Sequence, residues 1–215
     1  MKWIAVLGLT AASAASAAEP ALLFLDEAEE VRLALDAGPE HLRDGAAVYA
    51  FGKTGYRKVR GGSNGFTCLV NRDGNQNADN DVKPTCWDAE GTRTIVPVML
   101  RVGELLSRAA SADEIRRDID AGFASGKFTK PAKAGIAYML IGDLGFDPKT
   151  QKVTRTLFPA HYMIYAPGVS AGDIGVSGRP KDSRVVLPSV YSGYSGAPNT
   201  TYLIVPAAPG DAHRH

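Results

Sequence analysis

The chain has 215 residues, 45% of them hydrophobic, which is enough for one sizeable core and not for two. Its 24 basic and 23 acidic side chains nearly cancel, to a formal charge of +1. That balance argues against a nucleic-acid partner, whose phosphates call for a basic face, and against a polybasic membrane anchor.

Met1-Lys2-Trp3 is a short positive start, Ile4 to Leu9 is apolar, and Ala11 to Ala18 is a run of small residues suited to signal peptidase, with cleavage after Ala17 or Ala18. The apolar stretch is far shorter than the roughly 20 residues that span a bilayer, and no cysteine beside the cleavage site could carry a lipid. Residues 1–18 are therefore expected to be a signal peptide, and residues 19–215 one globular domain with no membrane anchor, periplasmic or secreted. In such a compartment Cys68 and Cys86, the two cysteines, are expected to form a disulfide, since they show no C-x-x-C spacing and no neighbouring histidine. Closing that loop stabilises the fold by roughly 3 kcal/mol in the chain-entropy model.

From Pro20 to Asp36, Leu22, Leu23, Leu25, Ala28, Val31 and Leu35 recur mostly at three- and four-residue steps, and Gly38 follows; the spacing predicts an amphipathic helix. Ala47 to Phe51 and Tyr56 to Val59 flank Gly52-Lys53-Thr54-Gly55 as a hairpin. Phe66 to Val70 reads as a strand carrying Cys68, and after a polar loop from Asn71 to Pro84 the chain returns at Cys86-Trp87. Val96 to Arg108 and Ala112 to Ala124 read as helices, the second opened by Ser111 and Glu114 at capping-box spacing. Ile136 to Ile141, Tyr162 to Tyr165 and Tyr202 to Val205 are short apolar runs that read as central strands. Residues 167–200, rich in Gly, Pro and Ser, read as a long surface excursion. The expected class is α+β: a mainly antiparallel sheet with helices packed on one face and one disulfide.

Three patterns carry chemistry. In the polar loop, Asp73, Asn75, Asn77, Asp79 and Asp81 place oxygen side chains at every second position, as the start of a calcium loop does, though Ala78 and Pro84 stand where glycine and the bidentate glutamate belong. Calcium is thus the candidate cofactor. His161 and Met163 share a strand face by alternation, and with Met139 on the neighbouring strand they offer donors suited to copper, above all Cu(I). His161 is also a candidate catalytic base, with Asp143 to orient it. The nearest serine, Ser195 in Gly193-Tyr194-Ser195-Gly196-Ala197, lacks the final glycine of a nucleophile elbow. Tyr191, Tyr194 and Tyr202 could line a groove for a sugar or peptide, and His213 and His215 could bind metal adventitiously.

Ser63-Asn64-Gly65-Phe66-Thr67-Cys68-Leu69 with Cys86, Gly135-Ile136-Ala137-Tyr138-Met139-Leu140, His161-Tyr162-Met163-Ile164 and Tyr202-Leu203-Ile204-Val205-Pro206 resemble stretches of a family of exported bacterial proteins with no activity attached. The resemblance implies the same cysteine-bearing strand and sheet, and it draws Asn64, Tyr138 and His161 together as one ligand site. The expected function is binding of a small ligand or cell-surface component near those residues. A hydrolase or lyase using His161 and Asp143 is the alternative, and a calcium- or copper-binding protein a further one.

Overall fold

The computed structural model describes residues 22–72, 81–176, 189–192 and 201–207. The expected signal peptide lies outside them, as do Asp73, Asn75, Asn77, Asp79, Tyr194, Ser195, His213 and His215.

Two short helices come first, α1 (Glu27–Asp36) and α2 (Glu40–Arg43). Helix α1 starts later than the spacing predicts, because Leu23 and Leu25 enter the core while Phe24 between them stays 43% exposed, the alternation of an extended chain. Glu27, Glu29 and Glu30 then place three carboxylates at the positive end of the helix. Strands β1 (Ala47–Gly52) and β2 (Gly55–Arg60) form the expected hairpin, followed by β3 (Thr67–Asn71) and β4 (Asp81–Trp87). Next come α3 (Ala89–Thr94), α4 (Val96–Ser107) and α5 (Ala112–Ala124), the last with both bonds of its Ser111–Glu114 capping box in place. The remaining strands are β5 (Gly135–Met139), β6 (Asp143–Asp147), β7 (Lys152–Phe158), β8 (His161–Tyr165), β9 (Ser189–Ser192) and β10 (Thr201–Pro206).

The strands run in the order β2-β1-β3-β4-β5-β8-β10-β9, with β6 branching from β4 and carrying β7. Among the described residues only β1 and β3 pair in parallel; the other ladders are antiparallel, so the sheet is mixed but mainly antiparallel as expected. The region read as a surface excursion contributes β9 to the sheet's edge.

Helices cover both faces rather than one. Every residue of β3 is buried, so its alternate side chains make two apolar faces and each needs a cover. Val48, Cys68, Val70, Val82 and Cys86 pack against Leu33 and Ala34 of α1 and its C-cap residue Ala37. On the other face Leu69, Trp87, Ala137 and Tyr165 pack against Val98, Met99 and Val102 of α4 and Ile115 and Ile119 of α5. The disulfide joins directly opposed residues of β3 and β4 beneath α1, with the Cys86 sulfur 3.2 Å from the Ala34 carbonyl.

A buried ion pair ties α1 to the sheet. Arg72 grips both carboxylate oxygens of Glu30, at 2.7 and 2.8 Å, with both side chains at most 2% exposed. Its Nε donates to the Leu23 carbonyl at 3.1 Å and its guanidinium lies 4.4 Å from the Phe51 ring centre. Burial opposes the Arg72 charge, and the Glu30 carboxylate with the Tyr56 hydroxyl more than offsets this, so the guanidinium holds its proton more firmly than usual.

Candidate functional site

The register of β5 is set by a small polar knot. Asp88 caps α3 by accepting from the Gly91 N–H at 2.9 Å, and its other oxygen accepts from the Ile136 N–H at 2.9 Å. Tyr165 donates to the Ile136 carbonyl at 2.9 Å, and burial holds its phenol far above the usual titration range. Gly91 and Gly135 make room for this: a Cβ would lie 2.2 Å from the Tyr165 hydroxyl at the first and 2.5 Å from an Asp88 oxygen at the second. With β5 fixed in this way, Tyr138 stands opposite Tyr162 and Met139 opposite His161.

That register separates the three residues expected to form one site. Side chains alternate across a strand, so Tyr138 and Tyr162 point to one face and Met139 and His161 to the other. Tyr138 lies against Tyr162 at 5.8 Å between ring centres and Phe66 at 6.0 Å, on the α1 side, where burial first and Asp88 second raise its pKa. Asn64 belongs to that side also, and both ends of its amide are engaged: it donates to the Leu42 carbonyl at 2.8 Å and accepts from the Phe66 N–H at 3.0 Å. The crevice there, about 170 Å³ counting the solvent at its mouth, is lined by Gly38, Leu42, Phe66 and the disulfide and is too tight for a water molecule. Asn64 and Tyr138 therefore shape the packing around the disulfide, and His161 stands apart from them.

His161 opens β8, 4% exposed. Its Nδ1 lies 2.8 Å from the Pro159 carbonyl, which can only accept, so Nδ1 carries the proton and Nε2 presents a lone pair. Among the described residues Nε2 takes no hydrogen bond. The Phe158 ring stands edge-on to the imidazole, centres 4.9 Å apart. Burial lowers the His161 pKa and the bond to Pro159 opposes that less strongly, which leaves the ring neutral. Gly142, with φ +70°, lets the turn after β5 lie on the backbone of Phe158 to Ala160; a Cβ there would come within 2.1 Å of the Phe158 oxygen. Phe158, Pro159 and Gly142 thus hold the histidine. Neither Phe158 nor Pro159 stands out in the sequence, because their roles depend on contacts across the β6–β7 hairpin and the β7–β8 turn.

Asp143 begins β6 and pairs with Phe158 across the hairpin. The His161 nitrogen that a carboxylate would orient is committed to a backbone carbonyl, so the expected His161–Asp143 couple does not form. Asp81, the one described member of the oxygen-rich series, lies 3.3 Å from the Lys83 ammonium. Among the described residues no three His, Cys, Asp or Glu side chains gather to hold a metal, and no helix is long and apolar enough to cross a membrane. Tyr202 is a core residue, buried edge-on to Tyr165 at 6.0 Å between centres, and does not line a groove.

The chain matches no family model, no curated protein and no solved structure. What the site can do follows from its own chemistry: a buried imidazole whose Nδ1 is held by a backbone carbonyl and whose Nε2 has no hydrogen bond among the described residues.

Proposed function

We propose that the chain is a binding domain that works outside the cytoplasm and holds a small ligand at His161, the imidazole acting as the coordinating or accepting group. The leader-like residues 1–18 and the buried disulfide support the compartment. The observation that carries the site is the Nδ1 bond to the Pro159 carbonyl, which fixes the ring and turns the Nε2 lone pair outward from it.

The same geometry favours binding over base catalysis. A general base must become imidazolium, and here burial disfavours that charge while the partner is a carbonyl rather than a carboxylate. The test follows the His161 ring nitrogens by NMR in the processed chain during titration with Zn(II), Cu(I), phosphate and imidazole, His161→Gln giving the assignment. Movement of Nε2 at a saturating concentration of one of these supports the proposal. A ring unmoved by all of them overturns it, as does an ester, amide or glycan turnover that His161→Gln abolishes.

A further inference from the structure

Met139 and Met163 give the His161 face a second kind of donor. Met139 stands directly opposite His161 in the β5–β8 ladder, and Met163 lies two residues along β8, opposite Ala137. All three side chains therefore emerge on the same face. Directly opposed Cβ atoms lie about 4.5–5.5 Å apart and diagonal neighbours about 7–8 Å, within reach of long side chains. Methionine adds three rotatable bonds and a soft, polarizable sulfur. Met139 is 5% exposed, and Met163 is half-buried against the core that includes Ala137, so both thioethers are largely shut from water.

From this juxtaposition we infer that His161 Nε2 and the sulfurs of Met139 and Met163 form a binding site for Cu(I). This rests on His161 as the ligand-holding group and names the ligand. Three features select it. Thioethers are soft donors that favour Cu(I) over the harder divalent ions. The donor set is neutral and largely shut from water, so a monovalent ion leaves far less uncompensated charge there than Zn(II) or Cu(II) would. The remaining ring N–H of His161 is fixed by the Pro159 carbonyl, the outer-shell support that metal-bound imidazoles ordinarily have. The edge of the Phe158 ring closes one side.

The experiment is a competition for Cu(I), without oxygen, between the processed chain and bathocuproine disulfonate. The background variant is His213→Ala/His215→Ala, which removes the terminal histidines as a source of binding. The expected result is a single bound Cu(I) with nitrogen and sulfur neighbours in its X-ray absorption spectrum. Met139→Leu and Met163→Leu keep the side-chain volume, and each should weaken binding at least about tenfold. A chain that retains no Cu(I) against the chelator overturns the inference, as does a Met139→Leu/Met163→Leu variant that binds as tightly as its parent. Either result, with the His161 ring still responding to another probe, leaves the ligand-binding reading standing; a ring silent to every probe removes both.

Discussion

Replacing Glu30 by alanine tests how α1 is held. The substitution removes the acceptor of both Arg72 arms and of the Phe51 N–H, 3.2 Å from Glu30 Oε1. The guanidinium keeps the Val70 and Leu23 carbonyls at 3.0 and 3.1 Å but loses its only buried counter-charge among the described residues. Stranding one partner of a buried pair costs about 3–5 kcal/mol, and the orphaned Phe51 N–H lies within that sum. For a domain of this size each kcal/mol lowers Tm by about 2–4 °C, so a fall of roughly 6–20 °C is expected. Urea unfolding with an unchanged m-value is the assay, since a changed m would signal a changed reference state. Arg72→Met should cost a similar amount. The Glu30→Ala/Arg72→Met variant should lose several kcal/mol less than the two single losses added, because no charge is left stranded. A Glu30→Ala protein within about 1 kcal/mol of the parent would refute the reasoning.

Two further outcomes bear on the site. The His161 pKa lies below the ordinary 6.5 in the folded chain, so the unfolded state takes the extra proton first; stability should decline as pH falls below about 6.5, by up to about 1.4 kcal/mol per pH unit until the folded pKa is passed. His161→Gln should flatten that part of the Tm profile between pH 7 and 5, and an unchanged slope would count against a buried neutral histidine. Gly142→Ala combines a left-handed φ of +70° with a clash against the Phe158 carbonyl, so a loss of at least about 1–3 kcal/mol is expected by urea unfolding, with a shift of the His161 ring signals. Parent-like stability would show that the turn is not held as described.

Local chemistry made much of the fold legible. The β1–β2 hairpin, the Ser111–Glu114 capping box and the limits of α5 lie where glycine spacing and cap residues put them. Strand β7 escaped notice because it lies almost wholly at the surface and shows no apolar period, although Asp147, whose carboxylate accepts from the Lys149 N–H at 2.9 Å, marks its turn. Helix α3 is six residues long, too short for a periodic signal, and only its Asp88 cap announces it. Grouping Asn64 and Tyr138 with His161 failed for a different reason. Strand alternation shows which residues of one strand share a face, but whether Tyr138 or Met139 meets His161 depends on a one-residue choice of register, and Asp88 and Tyr165 make that choice from distant parts of the chain.

Helix α1 is secured by residues distant from it in the chain. Its counter-charge, Arg72, follows Glu30 by 42 positions, and the Ala37 carbonyl waits for the Leu140 N–H. A chain that emerges from its N-terminus therefore carries Leu33, Ala34 and Ala37 uncovered until β3 and β4 are available, and Glu30 stays in water meanwhile. Seating the helix is thus an act of long-range closure, with loop entropy to overcome before any contact rewards it. The Glu30–Arg72 pair can close once residue 72 has been made, well before the Leu140 N–H can reach the Ala37 carbonyl.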